Sequence, residues 1–157
     1  MSLTDWPGQL AAAESQVVSV SCETSVYLPP IEELARRWCE IEPMLERATR
    51  RTGCYEPIDL LLMTAAGRAG MWLCTHGEEE LDAVLVTQVT VFPRRRVMEV
   101  LFGGGSNMWR WRKMAVAAID NHARELGCDH VASSGRPGWC RAWGAEATGD
   151  IIMVRGL

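Results

Sequence analysis

Apolar positions along this chain switch between a spacing of two and a spacing near four, and each switch marks a new element. Residues 1–15 keep neither period and read as an arm outside the main fold, leaving a domain over 16–157. From Gln16 to Tyr27 the alternation of Val18, Val20, Cys22, Thr24 and Val26 predicts a first strand, stopped by Pro29 and Pro30. A helix follows from Ile31, with Ile31, Leu34, Ala35, Trp38, Ile41, Leu45 and Ala48 as its buried stripe. Glu32 and Glu33 open that helix, Arg47, Arg50 and Arg51 close it, and Gly53 lies beyond, the charge order its dipole favours. Pro43 removes one backbone donor and predicts a kink near Cys39.

Pro57 to Gly67 fits a second, shorter helix, and Met71 to Thr75 a short strand. The run from Asp82 to Phe92 is apolar and β-branched on both faces, which predicts a central strand. After a turn at Pro93 to Arg96, Val97 to Phe102 reads as the next strand, and a helix spans Met108 to Leu126 before Gly127. Trp111, Ala115, Ala118, Ile119, His122 and Leu126 line one face of that helix, opposite Arg110, Lys113, Asp120, Asn121 and Arg124. Asp129 to Ser133 is a strand, RPGWCRAWG holds one or two helical turns, and IIMVR is a last strand. This order describes a single α/β domain with a mixed central sheet and helices on both faces.

With 48% hydrophobic and 23% charged residues over 157 positions, the chain has the balance of a globular protein able to bury its own core. The formal net charge of −4 gives no general attraction to nucleic acid or to an anionic membrane, so neither is expected as a partner. The six cysteines, Cys22, Cys39, Cys54, Cys74, Cys128 and Cys140, form no C-x-x-C pair and no zinc spacing with histidine; they read as reduced, mostly buried thiols, with no metal. The first residues lack the basic and apolar segments of a signal peptide, and no run approaches the length of a membrane span. The expected location is the cytoplasm of a bacterial host, or a particle assembled there.

The joint between the strand ending at Phe102 and the helix starting at Met108 is GGGSN. A glycine-rich turn there presents backbone N–H groups, reinforced by the helix dipole, that suit a phosphate or pyrophosphate. Gly103, Gly104 and Gly105 are the cradle on this reading, with Ser106 or Asn107 as N-cap; the alternative is a tight connection in which glycine supplies positive φ. Neither G-K-[ST] nor G-x-G-x-x-G is present. Arg110, with Arg112 and Lys113, either reaches phosphates or solvates the helix.

This order of elements, from about Val18 to Val154, resembles the Gcn5-related N-acetyltransferase (GNAT) superfamily, and ELGCDHVASSGRPGWCRAWGAEA resembles its phage-encoded members. The resemblance implies acetyl-coenzyme A bound by the fourth strand, the following loop and helix, and an amine acceptor. It also implies that backbone N–H groups around Leu101 and Phe102 polarise the thioester carbonyl. Two departures stand out: GGGSN replaces the superfamily's usual phosphate loop, and the late helix offers Trp139, Cys140 and Trp143 where many members carry a tyrosine acid. Glu99, on the strand before the loop, is the candidate base for the amine, or else a solvated residue on that strand's polar side. Two functions stay open: an acetyl-coenzyme A-dependent N-acetyltransferase, and a non-catalytic phage structural or virion-associated relative that binds other proteins through residues 1–15.

Overall fold

The structure is a computed structural model that describes residues 23–135 and 137–146. Along them the order is β1 (Thr24–Tyr27), α1 (Ile31–Arg36), α2 (Trp38–Thr49), α3 (Pro57–Ala65), β2 (Gly70–His76), β3 (Glu80–Val91), β4 (Arg96–Gly105), α4 (Met108–Glu125), β5 (His130–Ser133) and α5 (Pro137–Trp143). The expected arm over 1–15, the start of the first strand with Val18, Val20 and Cys22, and the last strand at IIMVR lie outside the described residues.

The strands form one sheet in the order β1-β2-β3-β4-β5. The first four pair antiparallel, and β5 joins β4 in parallel, from Val97↔His130 to Val100↔Ser133. The run expected to be central is central: β3 lies between β2 and β4, and its residues from Asp82 to Thr87 are all buried.

Alternation along β2 and β3 divides the core into two layers, as the two-residue period requires. On one face Trp72, Cys74, Ala83 and Leu85 join Met98 and Val100 beneath Trp111, Ala115, Ile119 and Ala123 of α4. On the other, Met71, Leu73, Val84 and Val86 meet Leu34, Ile41 and Leu45 of α1 and α2, with Leu60 and Met63 of α3. This is the expected mixed α/β sheet with helices on both faces.

Three local expectations are corrected. The helix over residues 31–49 breaks at Arg37, two residues before Cys39, while Pro43 sits inside α2. There Arg37 turns its guanidinium to the Glu79 carbonyl at 2.7 Å, tying the break to the β2–β3 turn. On α4 the buried stripe runs through Ala123; Leu126 is exposed, and His122 meets Trp72 edge-on at 5.4 Å. Finally, β4 does not end at Phe102 but continues through all three glycines.

The cysteines that the structure describes are free, but only Cys74 is fully buried and Cys39 and Cys54 are exposed, contrary to the expected mostly buried set. Burial, and next the Asp82 carboxylate, push the Cys74 thiol up to about 12. At neutral pH, alkylation of the folded protein is therefore expected to label Cys39 and Cys54 and to spare Cys74 until denaturant is added. Peptide mass mapping checks this; Cys74 modified as fast as Cys54 would contradict the packing of the α4 layer.

Candidate functional site

The glycine segment is built differently from a phosphate-binding loop. Gly105, Gly104 and Gly103 pair with Ala83, Val84 and Leu85 of β3, so the glycines are ladder residues and the joint shrinks to Ser106 and Asn107. Gly104 and Gly105 lie against backbone, and Gly103 against the end of a leucine side chain. A methyl on Gly104 would drive into the Met44 carbonyl, because α2 lies directly against β4 there. Gly105 holds φ at 141°, and a methyl on it would meet the Asp82 carbonyl and Ala83. A methyl on Gly103 would lie 2.9 Å from Cδ2 of Leu85 and 3.7 Å from Cη2 of Trp139.

Just upstream, the register between β3 and β4 slips: Val86 faces Phe102 while Thr87 faces Val100, which leaves Leu101 as an extra residue, a β-bulge. The parallel pairing with β5 ends at the same level, at Val100↔Ser133, where the Ser133 hydroxyl donates to the Val100 carbonyl at 3.3 Å. Beyond this point β5 ends while β4 runs on through Gly105, leaving a gap beside β4, the β4–β5 fork. In an antiparallel ladder, successive residues point their backbone groups alternately at the partner strand and away from it. The Ser106 N–H donates to the Asp82 carbonyl at 2.8 Å, which sets the phase. Phe102 and Gly104 consequently face β3, whereas Gly103 and Gly105 turn their N–H and C=O groups toward the fork. Of the amides at and after the bulge, that of Phe102 is thus directed toward β3 and that of Gly103 away from it.

Glu99 lies within the paired part of β4, opposite Gln88 and Ala132. It alternates with Met98 and Val100 of the α4 layer, which puts its carboxylate on the α1–α3 side of the sheet. It is half-buried, and the Thr90 hydroxyl donates to Oε2 at 2.7 Å. The carboxylate is therefore held by one hydroxyl rather than freely solvated. Leu101 and Phe102 pack on the same side of the sheet, and Tyr55 meets Phe102 edge-on with ring centroids 5.6 Å apart.

At the start of α4, the residues expected at a phosphate turn to a carboxylate of the chain itself. Asp82, 2% exposed, accepts from Asn107 Nδ2 at 3.0 Å, lies 3.5 Å from Arg110 and bonds His76 Nδ1 at 3.0 Å. Asn107 is the N-cap residue but adopts a left-handed conformation at φ 54° and makes no side-chain cap, and the Ser106 carbonyl accepts from the Trp111 indole at 2.8 Å. No acidic residue occupies the first turn, where Trp109 is 78% exposed with Arg110 over its ring. Cations in the first turn oppose the helix dipole. Asp82 offsets Arg110; among the described residues Arg112 and Lys113, in the next turn, form no ion pair. Asp82 is not singled out by the sequence because it follows Glu78 to Glu80 and reads as the polar edge of an apolar strand. Trp139 was noted but not placed at the fork.

Among the described residues no group of three or more His, Cys, Asp or Glu side chains could hold a metal ion, and no helix is long and apolar enough to cross a membrane.

No protein-family model matches the sequence, and no curated protein matches it. Solved structures do match in fold. An aminoglycoside acetyltransferase from an uncultured soil metagenomic sample, in complex with sisomicin, aligns with a TM-score of 0.64 at 9% identity, over 85% of this chain and 95% of its own. The aminoglycoside N-acetyltransferase AAC(6')-Iy in complex with CoA aligns with a TM-score of 0.61 at 14% identity, over 86% and 95%. The BH1408 protein from Bacillus halodurans aligns with a TM-score of 0.63 at 9% identity, over 83% of this chain and 99% of its own. The chain thus has the GNAT fold.

Proposed function

We propose that the protein is an acyl-coenzyme A-dependent N-acetyltransferase acting on an amine. The observation that carries this reading is the fork between β4 and β5, opened at the Leu101 bulge, with the Gly103 amide turned into it. That amide suits the carbonyl oxygen of a thioester, which gains negative charge as an amine attacks and a tetrahedral intermediate forms. Glu99 takes the proton the amine must lose, and the thiolate of coenzyme A leaves as the carbonyl reforms. Trp109, Arg112, Lys113 and the uncapped first turn of α4 meet the donor's phosphates; Gly104, Gly105, Asn107 and Arg110 shape that turn from within. Two neighbours in fold are aminoglycoside acetyltransferases, which supports an amine as the acceptor class.

Acetyl-coenzyme A is expected to bind in the micromolar to millimolar range by calorimetry. At 100 times Kd it should stabilise the fold by about 2.7 kcal/mol. No heat and no thermal shift at about 1 mM donor would sink the reading.

A second reading is a non-catalytic protein of this fold that acts through protein contacts, with residues 1–15 as the contact. Asp82 favours it: an internal carboxylate already draws Asn107 and Arg110, and the glycines are taken up by packing. Under it, no amine panel yields acetyl transfer above the uncatalysed rate, and removing residues 1–15 abolishes association with a larger assembly.

A further inference from the structure

We infer that the indole of Trp139 is the gate of the β4–β5 fork: it closes the fork in the free protein and has to swing out before a thioester can reach the Gly103 amide. The inference rests on the acyltransferase reading for what enters the fork, but its geometry is independent of that reading.

Trp139 lies on α5, which follows β5, and its ring reaches both arms of the fork. Toward the β5 arm, a methyl on Gly135 would sit 3.5 Å from Cδ1 and 3.6 Å from Cγ of Trp139. Toward the β4 arm, a methyl on Gly103 would sit 3.7 Å from Cη2, at the opposite end of the ring. Gly135 is two residues past Ser133, the last residue of β5 to pair with β4, and Gly103 is three past Val100, its partner. The indole therefore spans the opening from edge to edge, on the α4 side of the sheet. A methyl at either glycine would lie at ordinary contact distance from the indole, so both glycines border the ring closely.

Trp139 is only half-buried, and α5 is a seven-residue helix followed by Gly144 at φ 63°. Behind it, between α4 and β5, lies a cavity of about 330 Å³ lined by Val116, Ala123, Ser133, Trp143 and Ala145 among others. The pocket is partly open to solvent and reaches α5 at Trp143, which leaves space beside the helix. Trp143 stacks on Trp139 with centroids 6.2 Å apart and planes 24° apart, and its own indole N–H is buried with no acceptor among the described residues. The contact that Trp139 makes with Trp143 is thus a stacking one.

A closed gate lowers apparent donor affinity by the fraction of molecules that are open, and removing it restores that fraction. The test combines NMR on the free protein with coenzyme A titrations of wild type, Trp139→Phe and Trp139→Ala, each checked for folding by its thermal transition. The free protein should show nuclear Overhauser contacts from the Trp139 ring to the α-protons of Gly103 and Gly135, lost as coenzyme A is added. Trp139→Ala should bind coenzyme A about tenfold more tightly, with Trp139→Phe between it and wild type. Absence of those contacts in the free protein overturns the gate, as does a Trp139→Ala variant that binds equally or more weakly while wild type still binds. If neither protein binds at about 1 mM, the acyltransferase reading falls and the gate with it, a result distinct from failure of the gate alone.

Discussion

Gly104→Val is expected to destabilise the fold by about 3 kcal/mol or more, the upper end of what overpacking a core costs. The neighbour that a new Cβ would meet is the Met44 carbonyl, part of a helical backbone that cannot rotate aside as a side chain can. Relief requires α2 to lift from β4, and α2 carries Ile41 and Leu45, both fully buried in the layer beneath it. For a domain of about 150 residues each kcal/mol lowers the melting temperature by roughly 2–4 °C, so a fall of about 6–12 °C is expected, with or without coenzyme A. Gly53→Ala is the control: it forces a side chain into positive φ, a strain absent at Gly104, but meets nothing within 4 Å, and should cost only about 1 kcal/mol. A Gly104→Val protein that melts like wild type yet loses donor binding would return Gly104 to the role of a phosphate cradle.

That contrast shows where the sequence was legible. The layered sheet could be read because its signals are local: the unbroken apolar run of β3, the helical stripe of α4 and the glycine after it each follow from residues a few positions apart. The three glycines carried two readings because a ladder glycine under a helix and a loop glycine under a phosphate look alike in sequence. What separates them is Met44, sixty positions away, and a register with Ala83 to Leu85 that no local pattern sets. Asp82 was hidden for the same reason, since its partners come from two separate stretches, His76 from the end of β2 and Asn107 and Arg110 from the start of α4. The bulge at Leu101 leaves no trace in VMEVLFGGG, and the direction of each amide depends on it. Glu99 was nameable because a single acid in an apolar strand is conspicuous; its Thr90 partner, nine positions upstream, was not.

Glu99→Gln is expected to lower acetyl transfer by roughly 10² to 10⁴ while leaving coenzyme A affinity and the melting temperature close to wild type. The substitution is nearly isosteric and keeps an oxygen to accept the Thr90 hydroxyl, now 2.7 Å from Oε2, so the local structure has little cause to change. What it removes is the capacity to take a proton from the attacking amine. Thr90→Val supplies the graded comparison: it frees the carboxylate without deleting it, and should slow turnover by less than the glutamine does. The measurement is kcat and KM for an amine acceptor with acetyl-coenzyme A as donor, across pH. Loss confined to kcat, with KM unchanged, fits a base that takes the proton of the attacking amine. Turnover unaffected by the substitution would remove Glu99 from the chemistry and leave the proton to water or to the substrate itself. Absence of turnover in the wild type, with donor bound, would instead favour the non-catalytic reading, in which Glu99 and Thr90 only complete the polar side of the β3–β4 pair.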